Sequence, residues 1–375
     1  MQTSQKGIAT SHVGALPRPA TLPGRGAKEY TVDADELSAT VSAVVAKQVD
    51  LGISIVGDGE FGKSNFLYYV RHRFSGFDER PLRDGERDPS DAGGRRDLTM
   101  FPVYFNDRGG LYPLGNPVLY CNGPVSYTGG ASIQADIANL KSGMAQSGAA
   151  TGFLTAVSPC TVALTMPNEF YGSEEAYHIA LADALHDEYR AITDAGLILQ
   201  VDEPGLPGIW QQRLGLTVAE YRQAFAKWAD LLNHALRDCP PEQVRVHCCW
   251  GSYKGPHVGD IGLEHFIDLL YSVNATCYSI EGANPRHEHE WSVFRQFPLP
   301  AGKSLMPGVI SHATDTIEHP ELVAQRIERY ASVAGREGVI AGTDCGLRRV
   351  HEEVCWAKVN SLVAGAKIAS DRLWA

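Results

Sequence analysis

Apolar positions along the 375-residue chain alternate between two kinds of segment. Short runs dense in Val, Ile, Leu and Ala recur at 8–14, 53–58, 152–158, 198–202, 244–250, 276–281, 304–311 and 339–343. Runs of this length, bounded by Gly, Asp and Pro, predict buried strands. Longer stretches between them carry apolar residues three or four apart, the period of a helix with one buried face. The clearest are 35–51 and 174–195, followed by 218–236, 265–273 and 320–334. His319-Pro320-Glu321 reads as a helix start with proline in the first turn. No short fixed-period repeat accompanies this alternation. Eight strands separated by helices predict parallel βα units, and eight is the number that closes an α/β TIM barrel, the (β/α)₈ fold.

One stretch breaks the rhythm. From about 71 to 130 the chain is rich in Gly, Pro, Asp and Arg, with Asp84-Gly85 and Tyr127-Thr128-Gly129-Gly130 as turn signals. Aromatic segments at 100–105 and 118–121 read as short strands inside it. The expectation is a β-rich insertion after strand 2, made of hairpins that cap the barrel mouth as an ordered lid. The chain 1–375 then reads as a single barrel domain carrying this insertion.

Composition narrows the function classes. Hydrophobic residues at 44% and charged residues at 21% are ordinary globular values, enough for a sizeable core. A net charge of −11 repels nucleic acid, and the only basic clusters are short, such as Arg95-Arg96 and Arg348-Arg349. No apolar run reaches the roughly 18 residues of a membrane span, and no signal-peptide core is visible. The reading is a cytoplasmic protein with no nucleic-acid or membrane partner; a homo-oligomer is compatible with the sequence. In a reducing compartment the eight cysteines are not a disulfide framework. Most read as small buried hydrophobes.

Active sites of such barrels lie at the C-terminal ends of the strands. The polar residues there are His12 (strand 1), Asp58 and Glu60 (strand 2), Asp202 and Glu203 (strand 4), His247 and Cys249 (strand 5), Glu281 (strand 6), His312 (strand 7), and Asp344 and Cys345 (strand 8). Residues two apart on a strand share a face, so His247 and Cys249 point one way and Cys248 the other. A lone cysteine here is more often core than ligand. Convergence changes that: His247, Cys249, Glu281 and Cys345 fall at the same end of three strands and make a plausible tetrahedral zinc set. Cys121, Cys160, Cys239, Cys248, Cys277 and Cys355 lack such placement and keep the core reading. His287-Glu288-His289-Glu290 lacks the i, i+4 spacing of paired zinc ligands and reads as a solvated helix start or loop after strand 6. Trp250 and Trp291 fit the mouth or the core equally.

The motifs VGALPRP (13–19), GDGE (57–60), LTAVSP (154–159), VDEP (201–204), HCC (247–249), SIEGANPRHEHEW (279–291), PGVI (307–310) and GTDCGL (342–347) run in one order along the chain. In this they resemble the catalytic barrel of the cobalamin-independent methionine synthase family, above all its single-barrel members, which include epoxyalkane:coenzyme M transferase. The resemblance implies Zn2+ bound by His247, Cys249, Glu281 and Cys345. It implies that the zinc activates a small-molecule thiol as thiolate, which attacks the carbon of a methyl or alkyl donor, with Glu281 giving way as the sulfur enters. It also implies that Glu60 and Asp202 hold the amino group of homocysteine, that His312 and Asp202 are catalytic, with His312 protonating the leaving group, and that His12 lies with the substrate-binding residues. The bland readings are a helix-start carboxylate for Glu60, a strand-end cap for Asp202 and a rim histidine for His312. Where the synthases have a serine this chain has Ala15.

The leading expectation is therefore a zinc-dependent thiol methyl- or alkyltransferase acting on homocysteine or a similar thiol. Alkyl or epoxide transfer to another thiol such as coenzyme M, or the reverse C–S cleavage, is the alternative within this chemistry. A zinc- or thiol-binding barrel without turnover would need the ligands alone. A uroporphyrinogen decarboxylase-like barrel would need no zinc.

Overall fold

The computed structural model describes residues 6–24, 30–86, 89, 94–108 and 117–375. Eight parallel strands form one nearly closed sheet: β1 (Ala9–Thr10), β2 (Ile55–Gly57), and, after a separate two-stranded ribbon of β3 (Phe74–Arg80) and β4 (Val118–Tyr127), β5 (Thr151–Val157), β6 (Ile198–Asp202), β7 (Val244–Cys248), β8 (Cys277–Ile280), β9 (Ser304–Ile310) and β10 (Ile340–Thr343). Their spatial order, β1-β10-β9-β8-β7-β6-β5-β2, follows the chain around a barrel. The seam between β1 and β2 is bridged by the Ser54 amide donating to the Thr10 carbonyl at 3.1 Å and by side-chain bonds between the same two residues. All eight sequence-predicted strands are present: six are shortened at their ends, β5 is shifted by one residue and β6 coincides with its predicted range. No described helix is long and apolar enough to cross a membrane.

Strand parity divides the core in two. Leu199, Val201, Val244, Val246, Tyr278, Ile280, Leu305, Val309 and Ala341 face outward and pack with the helices. Ala9, Ile55, Phe153, Ile198, Cys277, Met306 and Ile340 face inward and join Val13 in a separate apolar cluster. This is the layered interior of a parallel barrel, with side chains two apart stacked along the axis. Above that layer the inward positions turn polar: Gln200 then Asp202 on β6, Arg245 then His247 on β7, Ser279 then Glu281 on and after β8, all buried.

The helices start and stop on local chemistry. Ala34–Leu51 is capped by Asp33 and ends at Gly52, whose φ of 95° only glycine takes easily. Val218–Ala235 opens with a capping box of Thr217 and Glu220. Pro320–Ala334 begins at His319-Pro320, as the sequence predicts. The 265–273 helix shrinks to a 3₁₀ turn, Leu263–His265, and one α turn, Ile267–Leu270.

The insertion departs from its predicted detail. Its sheet is the antiparallel ribbon β3–β4, but the segment read as a strand at 100–105 is helical: Arg95–Met100 and Pro102–Asp107, the second with proline in its first turn. Proline at that position pre-sets helical φ and lacks the N–H a strand would need. Gly130–Ser147 and the final Glu352–Leu373 are helices that the sequence reading did not include.

Candidate metal and substrate site

The parallel register brings the strand ends level: Asp202 pairs with His247, His247 with Ser279, and Cys248 with Ile280. Ligand atoms of His247, Cys249 and Cys345 lie within 4.8 Å of one another. The His247 Nδ1 meets the Ser279 hydroxyl at 3.0 Å, while its Nε2 is buried with no partner. Burial, with the charges of Arg245 and His312, lowers its pKa to about 3, so the imidazole is neutral. The Cys249 thiol is pushed well above its usual range by its hydrogen bond with Cys345, by burial and by the nearby Cys345 and Glu281 charges. Two thiols held together beside a neutral imidazole with an idle lone pair fit a soft divalent metal. Cys248 points the other way into the helix-facing core.

Glu281 stands next to this group. Its Oε1 accepts from the Trp250 amide at 3.0 Å and its Oε2 from Asn284 Nδ2 at 2.9 Å. It groups more closely with His312 and Asp344, whose ligand-type atoms also lie within 4.8 Å of it. Both ring nitrogens of buried His312 lack partners. Burial lowers its pKa although Glu281 opposes that. Asp344 Oδ1 accepts from the amides of Gly282 and Ala283, each at 2.8 Å, while its Oδ2 is unpartnered. Burial and then Glu281 raise Asp344 to about 7. The sequence reading placed Asp344 at a strand end but gave it no role; its neighbour Cys345 drew the attention, and the signal lay in the same GTDCGL motif.

Glu60 and Asp202 form a second group at these strand ends, close enough to act on one another. Glu60 takes φ 60°, a region unusual for a non-glycine side chain and found mostly where surrounding structure enforces it. Its Oε1 accepts from Thr155 Oγ1 at 3.1 Å and its Oε2 is buried and unpartnered. Asp202 Oδ1 accepts from Gln200 Nε2 at 2.7 Å. Burial raises both carboxyls; Glu60 raises Asp202 further, while Lys63 and Arg348 hold Glu60 down. Two acids that repel each other in a buried recess are well matched to an incoming ammonium. Arg18 and Lys63 are close by but spent on backbone carbonyls, Arg18 on those of Pro23, Glu60 and Lys63, and Lys63 on that of Thr155.

His12 is tied into the framework. The Gly14 amide donates to its Nδ1 at 3.1 Å, so the proton sits on Nε2, which donates to Gln48 Oε1 at 2.8 Å. With both nitrogens engaged, a ligand would meet only the ring itself.

Of eleven buried side-chain polar atoms without partners among the described residues, five belong to His247, His312, Glu60 and Asp344. Such atoms cost about 1–3 kcal/mol each when left bare, so their concentration at one end of the barrel marks a place built for ligands.

The His287 motif does open a 3₁₀ helix, Glu288–Arg295, with His289 exposed and Glu288 half-buried, but its other two residues are not solvated. His287 and Glu290 are buried. His287 bridges Asp260 Oδ2 and Glu290 Oε2, both at 3.1 Å, while His257 bridges the same Asp260 oxygen at 2.7 Å and the Tyr253 carbonyl at 3.1 Å. These residues also offer metal-type ligands. Yet each ring nitrogen faces an acceptor oxygen, an arrangement that favours protons over a metal at these positions, and the Asp260 carboxylate raises His257 against the effect of burial. Burial alone would depress His287; its carboxylate partners outweigh that and raise it to about 10. Trp250 stacks on His287 at 3.8 Å between centroids, and its Nε1 donates to the Ile261 carbonyl, so it belongs to this packed network.

Residues 117–368 match the family described as the cobalamin-independent synthase catalytic domain. The methionine synthase of Sulfolobus acidocaldarius is 23% identical, over 98% of this chain and 93% of its own. The 2-hydroxypropyl-CoM lyase of Xanthobacter autotrophicus is 24% identical, over 98% and 96%. A B12-independent methionine synthase from Shewanella sp. W3-18-1, solved with selenomethionine, superposes with a TM-score of 0.76 at 22% identity over 98% of this chain and 99% of its own, a likeness of fold.

Proposed function

This chain belongs to the family of the cobalamin-independent synthase catalytic domain, and from that premise we propose that it is a zinc-dependent enzyme that moves a methyl or alkyl group onto a small-molecule thiol, with homocysteine or a close analogue as acceptor. The observation that carries the reading is the convergence of a neutral His247, whose Nε2 is unpartnered, with Cys249 and Cys345, at the same strand ends as two buried carboxyls, Glu60 and Asp202. His247, Cys249 and Cys345 would hold the metal, with Glu281 as the fourth ligand. Bound zinc lowers the pKa of a thiol and leaves the sulfur anion soft and nucleophilic at neutral pH.

The protein's own groups do the rest. Ser279 fixes the His247 ring through Nδ1 and leaves Nε2 for the metal. Glu60 and Asp202 bind the acceptor's ammonium, which favours the ionised form of both carboxyls and orients the sulfur. His312 supplies the proton that the leaving group takes; its free nitrogens leave it able to do so. The ribbon and short helices of the insertion help choose the donor of the transferred group.

Elemental analysis tests the metal: about one zinc per chain is expected, lost in Cys249→Ser and Cys345→Ser, and full retention in both variants would sink the assignment. Chelation should abolish turnover, and added zinc should restore it. A second reading takes a thiol with an anionic tail. Arg18, Lys63 and Arg348 all act on Glu60, and one relative is a coenzyme M lyase. Titrating the zinc enzyme with homocysteine and with 2-mercaptoethanesulfonate, following proton release, separates the two. Release with the sulfonate alone would replace the first reading by the second.

A further inference from the structure

Beneath the two carboxylates lies a buried cation with no carboxylate hydrogen-bonded to it among the described residues. Arg245 occupies the inward face of β7 one layer below His247 and is fully buried. Its Nε donates to Gln200 Oε1 at 2.8 Å. Its Nη1 meets Ser11 Oγ and Met306 Sδ, both at 3.1 Å, and its Nη2 meets the His12 carbonyl at 3.3 Å. The guanidinium also sits over the Phe153 ring, 4.3 Å from its centroid. Burying a guanidinium among neutral acceptors is costly, so its retention asks for a reason.

The reason we infer is directional. A guanidinium only donates. Facing Gln200, it therefore fixes the amide with Oε1 toward Arg245 and Nε2 toward the mouth. That nitrogen donates to the Val13 carbonyl at 2.6 Å and to Asp202 Oδ1 at 2.7 Å. Turned over, the amide would set its NH₂ against the guanidinium and its oxygen against a carbonyl and a carboxylate. Arg245 thus sets Gln200, and Gln200 takes one oxygen of Asp202. The other, Oδ2, makes no hydrogen bond among the described residues and is left for an incoming donor. We propose that Gln200, locked by Arg245, is the positioning residue that aims Asp202 and thereby selects acceptor thiols bearing an ammonium group. This rests on the ammonium reading of Glu60 and Asp202 above.

The test compares two ligands that differ in that group alone, L-homocysteine and 4-mercaptobutanoate, with binding to the zinc-loaded protein measured by calorimetry. The wild-type protein should prefer homocysteine. Gln200→Leu removes the donated N–H and should weaken homocysteine by about tenfold or more, tenfold being the lower end for a hydrogen bond to a charged group, while leaving 4-mercaptobutanoate unchanged. Gln200→Glu keeps the shape and the contact to Arg245 but presents an acceptor to Asp202, and should show the same selective loss. Arg245→Met frees the amide to turn and should give a smaller loss of the same kind. If homocysteine binding survives in both Gln200 variants, or if both ligands weaken together, the inference is overturned. If the wild-type protein itself fails to discriminate, the ammonium reading falls first and this inference falls with it. Retained far-UV circular dichroism and zinc content in at least one Gln200 variant keep the comparison valid, and the isosteric Gln200→Glu serves if Gln200→Leu does not fold.

Discussion

At the scale of single residues, period-two alternation on buried strands made much of the candidate site legible. His247 and Cys249 share a face because they are two apart, and Cys248 between them joins the outer core. What the sequence hid is the state of each group. His287 and Glu290 look like a charged surface run, yet long-range partners Asp260 and His257 bury them in an ion network. No local pattern announces a partner 27 residues away. That network has a pH signature. Because His287 binds its proton more tightly folded than unfolded, its stabilisation is full below about pH 6.5 and fades as pH rises toward about 10. The gap in thermal stability between the wild-type protein and His287→Gln should therefore narrow from pH 6 to pH 10; a gap that widens with pH would refute the doubly protonated ring. Gly14 is equally specific. Its φ of +128° and a Cβ that would fall 2.6 Å from Thr155 Cγ2 and 2.8 Å from Glu60 Oε1 leave no room for alanine. Gly14→Ala should cost about 1–3 kcal/mol in denaturant unfolding and displace the Glu60 carboxylate; an unchanged midpoint would show that the turn can relax.

At the scale of elements, strands were easier to read than the insertion, because eight buried strands repeat one pattern whereas the insertion's order comes from docking. Gly130–Ser147 escaped because it opens on Gly129-Gly130 with no side-chain cap, so the usual start signal is missing. Of the helices Arg95–Met100 and Pro102–Asp107, the second was obscured by aromatics that suit strands in isolation. Asp97 anchors the first of them to the loop after β7: fully buried, it accepts from the Tyr253 hydroxyl and the Gly259 amide, each at 2.8 Å. Arg96 lies across Trp210 at 3.8 Å and donates to its carbonyl at 2.9 Å, holding the same segment to the helix after β6. Both contacts are at the C-terminal ends of the barrel strands. Tyr253→Phe leaves the buried carboxylate one donor short and should loosen this segment by about 1–3 kcal/mol. Faster limited proteolysis within 95–107, with the global unfolding midpoint nearly unchanged, is the expected result. Equal proteolysis rates would show that the Gly259 amide alone suffices.

At the scale of the whole molecule, the barrel interior is apolar at one end and hydrogen-bonded at the other, and the polar inward residues were written into the strands from the start. What no strand segment could reveal is how the ring closes. β1 contributes two paired residues, Ala9 and Thr10, against Ile340 and Ala341. It is steadied by the Ile8 amide donating to Ser370 Oγ at 2.8 Å, a contact 362 residues apart in sequence. Closing so long a loop is entropically among the dearest steps available to the chain, and it is rewarded by few bonds. The β1–β10 pairing should therefore form after the folding transition state and open before the rest of the barrel. Ser370→Ala should then speed unfolding by roughly fivefold, the kinetic equivalent of about 1 kcal/mol, and leave the refolding rate untouched. Slower refolding with unchanged unfolding would place the β1–β10 pairing in the nucleus instead. A cylinder held this lightly along one line has its lifetime set by that line, however stable the six other strand pairings are.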